Sequence, residues 1–295
     1  MTGEGEINAA LTVFSLLQSP SFDLRKTYFL TAGVAGISPT VGTLGSVTFA
    51  RYAVQVGLQY EFDARERPRG SPTGYVPLGS LAYDQYPSAI YGTEVFEVND
   101  ALRKLAVGFA RTAVLNDTDT ARAYRAHYAS TPAFAPGASP PSVVECDTAT
   151  SDTFWTGALL ADAFENTTRL FTNGTGAYCT TQQEDNAVLA ALVRGAIMGK
   201  VDFSRVIVMR VGSNFDRPYN GQSAAANRFG DSGGFVPALR NVYVGGVKVV
   251  QGIVNGWDEI FSGGVVPTNY IGDILGSLGG EPDFGYRIAF RVQTL

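Results

Sequence analysis

The sequence predicts a single α/β domain, and three observations lead there. Segments with strand periodicity alternate with segments of helical periodicity along most of the chain. Residues 205–211, RVIVMRV, form a largely apolar, β-rich run of the kind buried in α/β sheets. A chain of 295 residues at 45% apolar content can bury a large core with no disulfide framework. Glycine is abundant, at 34 residues, which points to tight turns and close backbone approaches.

Taken in order, residues 6–18 place Ile7, Ala10, Leu11, Phe14 and Leu17 on one helical face. The glycines before them make a tight entry that leaves the backbone open to a ligand. The uncharged run 27–50 is too rich in Gly, Ser and Thr to span a bilayer and reads as strand, turn and strand. Within it, Tyr28, Phe29 and Leu30 form a short buried strand broken by Gly33 and Gly36. Residues 52–62 alternate between Tyr52, Val54, Val56, Leu58, Tyr60, Phe62 and smaller or polar residues, the pattern of a half-buried strand. Residues 63–92 form a long loop rich in Pro, Gly and Tyr. Asn99 caps a helix carrying Leu102, Leu105, Phe109 and Val114 inward, and a polar helix follows over 119–130. Residues 131–142 read as an extended connection. Then come a helix near 157–170, a strand near 176–181, a helix over 184–198 and a strand over 204–211. A Gly- and Asn-rich loop at 213–234 precedes helices over 235–256 and 267–278.

Net charge is −5 with no basic block, so the footprint of a nucleic-acid binder is missing. The one histidine, His127, lies in a polar stretch and reads as solvated or capping. With Cys146 and Cys179 the only cysteines, zinc sites lack ligands and a histidine triad has a single candidate. Neither a metal nor a cofactor is expected. The two cysteines are open to two readings, a disulfide or a pair of buried thiols. Three sequons occur, at Asn116, Asn166 and Asn173, barely above the number that chance gives.

Four segments are expected just beyond strand ends, where α/β sheets bind ligands. They are 31–36 (TAGVAG), 151–155 (SDTFW), 182–186 (QQEDN) and 212–217 (GSNFDR). Each has a bland alternative: a tight turn, core packing, helix capping and a polar turn, respectively. The first lets a ligand lie against backbone, the second offers Phe154 for stacking, and the third sets Glu184 at a helix start. The fourth clusters an amide, a carboxylate and a guanidinium.

The order and spacing of these segments carry a resemblance. Residues 2–10 (TGEGEINAA), 31–36 and 44–48 (LGSVT) resemble the opening half of the nucleoside phosphorylase and nucleosidase superfamily. Residues 52–66 (YAVQVGLQYEFDARE), 90–100 (IYGTEVFEVND), 179–187 (CTTQQEDNA) and 210–217 (RVGSNFDR) resemble the fungal purine nucleoside permease family more narrowly. The resemblance spans about residues 2–285 as one domain; residues 286–295 depart from it as an atypical tail. It implies a central mixed sheet wrapped by helices, and binding or cleavage of the N-glycosidic bond of a purine nucleoside. It also implies site roles. Phe154 resembles the base-stacking residue, and Gln183 and Glu184 the ribose-contacting pair. Asn214 falls at the donor to the purine ring, with Asp216 the candidate acid because an amide cannot deliver a proton. Ala32, Gly33, Val34, Arg210 and Ser213 complete the expected binding set.

Cleaving a ribosyl–base bond builds positive charge on the sugar and negative charge on the base. A carboxylate at the ribose and a donor at the base stabilise that separation more than the ground state. Phosphorylating relatives hold phosphate with a basic residue and a hydroxyl at positions matched here by Thr31 and Val34. Their loss favours hydrolysis or binding over phosphorolysis, with phosphate the only co-substrate to consider. A non-catalytic nucleoside-binding, transport-associated or storage protein is the alternative. The resemblance further implies a secreted or cell-surface location, a homo-oligomer, and first strands, with a water-activating acid, ahead of residue 1.

Overall fold

The computed structural model describes residues 1–284; the atypical tail read over 286–295 lies outside the described residues. In chain order the elements are α1 (Glu6–Gln18), β1 (Phe29–Ile37), β2 (Val47–Ala50), β3 (Tyr52–Gln55), β4 (Gln59–Glu61), β5 (Tyr75–Pro77), β6 (Val95–Glu97), α2 (Asp100–Ala110), α3 (Asp119–Arg125), α4 (Ala135–Ala138), β7 (Val143–Glu145), β8 (Asp147–Thr150), α5 (Ala158–Phe171), β9 (Tyr178–Gln182), α6 (Asp185–Ile197), β10 (Val206–Phe215), α7 (Ala224–Phe229), α8 (Phe235–Asn255) and β11 (Gly272–Asp273). Nine strands make one sheet in the order β11-β6-β3-β8-β9-β1-β10-β2-β7, and β4 pairs with β5 apart from it. The sheet is mixed: β1/β10, β3/β8 and β8/β9 run parallel, whereas β1/β9 and β10/β2 run antiparallel.

Helices cover both faces, so the central strands are buried on both sides. On one face α1 and α6 pack Ala9, Val13, Leu17, Leu189 and Leu192 against Val206 and Val208. On the other, α2 and α8 pack Leu102, Ala106, Ala238 and Val249 against Phe49, Ile207 and Met209. A third cluster sets Phe164 and Phe171 of α5 against Tyr52, Val54 and Tyr178. Asn99 caps α2 as its sequence position predicts, accepting from the amides of Ala101 and Leu102.

Six element readings need correction. Val114, read as an inward residue of the helix that Asn99 caps, lies beyond the end of α2 at Ala110 and is exposed. The buried face of α1 is Ala9, Val13 and Leu17, while Ile7 and Leu11 are exposed. Its partner α6 presents small residues (Leu17 Cδ1 stands 2.7 Å from where a Gly195 Cβ would sit), so close approach selects the slimmer side of α1. The strand over 52–62 ends at Gln55, which is buried like Ala53 because both faces are covered, and 59–61 belong to the small β4/β5 pair. Strand β1 runs unbroken through Gly33 and Gly36. The connection at 131–142 holds helical turns, and β7 and β8 follow it unforeseen. The helix read over 267–278 is absent. There the Asn269 amide donates to distant Glu97 and the Val98 carbonyl and to its neighbour the Tyr270 carbonyl, and Gly272 and Gly276 take positive φ; these bonds and turns replace helical ones.

Cys146 and Cys179 form a disulfide, which decides between the two cysteine readings. It ties the entry of β8 to β9 inside the sheet, with both residues buried.

Candidate functional site

Arg210, in the middle of β10, organises the site. Its partner across the parallel pair is Gly33 of β1, and a Cβ there would stand 2.8 Å from Arg210 Nη1. Glycine therefore leaves the lane through which the guanidinium crosses β1. Beyond it, Nη1 donates to the Val34 carbonyl at 3.2 Å, Nη2 to Asp185 Oδ1 at 2.6 Å, and Nη2 to Glu184 Oε2 at 3.0 Å. Nε reaches both Asp185 oxygens at 3.1 Å. Burial opposes the Arg210 charge, but Asp185 and Glu184 outweigh it and raise its pKa. Burial raises the Asp185 carboxyl, with Arg210 pulling it back.

Glu184 precedes α6 but does not cap it. Gln182 does so instead, its Oε1 accepting the amides of Glu184 and Asp185 at 2.7 and 2.6 Å. The Glu184 carboxylate is thus free to bridge, and its Oε1 accepts the Gly5 amide at 3.3 Å. The first turn of α1 arrives here through its backbone: the Glu6 amide donates to Asp152 Oδ1 at 2.8 Å. Gln55 Nε2 donates to Glu6 Oε2 at 2.6 Å, and Gln183 Nε2 to the Asp152 carbonyl at 2.7 Å. Burial, then Asp152, raise the Glu6 carboxyl above its usual range.

Phe154, beyond β8, is half exposed, and the Arg228 guanidinium of α7 lies 4.0 Å from its ring centroid. At the end of β10, Asn214 Oδ1 accepts the Ser213 hydroxyl at 3.1 Å, which leaves the NH2 group of the amide as the donor, one bond going to the Phe215 carbonyl at 3.4 Å. Ser213 also donates to the Ala35 carbonyl.

The structure therefore joins Gly33, Val34, Glu184 and Arg210, and ties Gln183 to the segment bearing Phe154. Asn214 stands four residues along β10 from Arg210, and Ala32 is exposed on β1. Three expectations change. Residues 31–36 and 212–215 lie inside strands β1 and β10 and are not turns beyond them, because glycine serves close cross-strand approach there. Arg210 is 6% exposed with every guanidinium nitrogen engaged by protein, so it positions Glu184 and is not a ligand contact. Asp216 is fully buried and accepts Tyr178 Oη at 2.7 Å and Arg217 Nε at 3.1 Å, so it is a structural carboxylate and not an available acid. Burial raises its pKa, and Arg217 opposes that. The sequence reading missed Glu6, Gln55, Asp152, Asp185 and Arg228 as site residues. Asp152 and Asp185 sat within segments already singled out, and Glu6 follows the glycines flagged as open backbone. Arg228 carried no signal. His127 is exposed and stacks on Tyr219, in keeping with a solvated role. Among the described residues no group of His, Cys, Asp and Glu could hold a metal ion.

The family model described as purine nucleoside permease matches residues 1–266. A Candida albicans purine nucleoside permease is 45% identical over 291 residues, which cover 96% of this chain and 71% of the relative. A probable purine nucleoside permease of Schizosaccharomyces pombe is 40% identical over 266 residues, covering 87% of this chain and 75% of that protein. Among solved structures, the 5'-methylthioadenosine/S-adenosylhomocysteine nucleosidase of Neisseria meningitidis is similar with a TM-score of 0.49 and 13% identity, covering 85% of this chain and 79% of its own.

Proposed function

The chain belongs to the purine nucleoside permease family, and from that premise we propose that it binds a purine nucleoside and hydrolyses its N-glycosidic bond. The observation that carries this reading is Glu184. Its carboxylate is fixed from one side by Arg210 and from the other by the Gly5 amide, beyond a strand whose neighbour ends in the exposed ring of Phe154. A carboxylate so held suits the ribose hydroxyls, where it stabilises positive charge as the bond breaks. Phe154 stacks on the base, and the Asn214 amide donates to the ring as negative charge develops there. Asn214 cannot transfer a proton, so its contribution is electrostatic.

The charge balance supports hydrolysis over phosphorolysis. Glu184 and Asp185 engage the Arg210 guanidinium, and Asp152 and Glu6 lie on the Glu184 side, so a phosphate dianion would meet net negative charge. The disulfide supports a secreted or cell-surface location, where thiols stay oxidised.

A second reading, binding without turnover in support of uptake, is favoured by the permease name that the relatives carry. Among the described residues no helix is long and apolar enough to cross a membrane. Incubating the purified chain with adenosine, inosine, guanosine and uridine, with and without phosphate, separates the readings. Free base without phosphate is the expected result; base only with phosphate would make it a phosphorylase, and saturable binding with no base would favour the second reading. Glu184→Gln should lower kcat about 100- to 1,000-fold, by analogy with removing one charge-stabilising group. Unchanged turnover in a folded Glu184→Gln protein would overturn the site.

A further inference from the structure

We propose that Asn173, at the end of α5, is an acceptor for an N-linked glycan, and that it alone of the three sequon asparagines takes one. The sequence pattern is equal at Asn116, Asn166 and Asn173, because each has the required Thr two residues on. The fold makes them unequal, since a glycan attached to the chain must still have room once folding is complete.

At Asn116 the side-chain Oδ1 is buried, the backbone is clamped on both sides by Asn241, and Thr118 caps α3. A sugar there would part the loop from α8. Asn166 lies within α5, where its Oδ1 accepts from Arg169. The Thr168 of its sequon is fully buried and donates its hydroxyl to the Phe164 carbonyl.

Asn173 differs in its exposure and in the freedom of its side chain. Asn173, Gly174 and Thr175 are all exposed. The Asn173 backbone takes φ +52°, a left-handed conformation that ends the helix and turns the chain outward. Around Gly174 a Cβ would meet nothing within 4 Å, so the space beside the acceptor is open. The turn is held by other groups: Gly174 N donates to the Arg169 carbonyl at 2.7 Å, and Thr175 Oγ1 to the Thr172 carbonyl at 2.6 Å. Among the described residues the Asn173 side-chain amide makes no hydrogen bond, so glycosylation breaks none. The Cys146–Cys179 disulfide is an independent observation in the same direction, because disulfides persist in the compartments that also glycosylate.

The reaction is displacement at the anomeric carbon of a lipid-pyrophosphate-linked oligosaccharide. The Asn173 amide nitrogen forms the new bond to that carbon, the carbon–oxygen bond to the pyrophosphate breaks, and the lipid pyrophosphate leaves with the electron pair. The amide surrenders one proton to solvent.

The test is to send the whole chain through the secretory pathway of a yeast host behind a cleavable leader and recover it from the medium. Treatment with an amidase that releases N-glycans should increase gel mobility by a single step and convert Asn173 to aspartate in the peptide map. Asn173→Gly, which suits the left-handed φ, should abolish the step while leaving the melting curve of the enzymatically deglycosylated protein unchanged. Asn116→Gln and Asn166→Gln should leave the step in place, and Thr175→Ser should retain it. Secreted chain with no step, a step that survives Asn173→Gly, or aspartate recovered at 116 or 166 would overturn the proposal.

Discussion

Arg210→Met should cost about 3–5 kcal/mol of folding stability, chiefly because it strands a carboxylate. Asp185 is 0% exposed, and the guanidinium supplies the bonds at 3.1, 3.1 and 2.6 Å that its two oxygens receive from Arg210. Methionine fills the lane beside Gly33 with apolar volume and restores none of them. Glu184 loses its 3.0 Å partner as well, but it is less enclosed and water can replace part of that bond. The loss is measured by urea unfolding, with mutants compared at equal m-value. Adding Asp185→Asn to Arg210→Met removes the stranded charge and should return about 1–3 kcal/mol. The pH dependence has a definite sign. Burial already raises the Asp185 carboxyl above 3.8, and losing Arg210 raises it further. Folded Arg210→Met protein then binds a proton at a pH where the unfolded chain does not, so its deficit shrinks as pH falls toward that value. A deficit under about 1 kcal/mol, one that stays constant with pH, or a double variant no better than the single would refute the account.

Opening the disulfide closes off no contact but frees a loop with a sequence separation of 33. In the chain-entropy model that is worth about 4 kcal/mol, so Cys146→Ala/Cys179→Ala should lower the urea midpoint accordingly, and an unchanged midpoint would count against it. Phe154→Ala should weaken nucleoside binding by about 1–3 kcal/mol, the value of one base stack, as read by calorimetry; affinity within twofold of the parent would remove Phe154 from the site. Glu6→Gln should gain stability relative to the parent as pH rises through 4.5 and above. The folded Glu6 carboxyl is raised by burial and by Asp152, so ionising it is penalised in the folded state alone. A stability difference that is flat with pH between acidic and neutral conditions would show that Glu6 is not held in this way.

Much of the fold was legible because it depends on local chemistry. The Asn99 cap, the length of α8 and the strand–turn–strand character of 27–50 all follow from residues close in sequence. The misreadings share one cause, which is packing against distant partners. Ile7, Leu11 and Phe14 look like a core stripe until Gly195 of α6 selects the other side of α1. Gly33 looks like a turn until Arg210, far along the chain, is seen to need its missing side chain. The site divides in the same way. Glu184 and Phe154 were visible from segment chemistry, whereas the role of Arg210 required knowing that Asp185 and Gln182 had already taken its donors and the helix cap. Asp216 was misjudged because its neighbour in sequence, Arg217, and its neighbour in space, Tyr178, together close it off.

The docking of α1 also sets a timetable. Gly5 and Glu184, joined by a hydrogen bond, are 179 residues apart. Synthesis at roughly 5–20 residues per second puts about 10–40 s between the emergence of α1 and the completion of its landing surface. Throughout that interval Ala9, Val13 and Leu17 have no α6 to meet, and Ile7 and Leu11 add further oily surface on the same helix. Helix α1 is thus secured only after residues far along the chain have been made. A nascent chain stalled before residue 185 presents a sticky amphipathic segment, which makes α1 a natural grip for a holding chaperone and a place where an interrupted chain would aggregate.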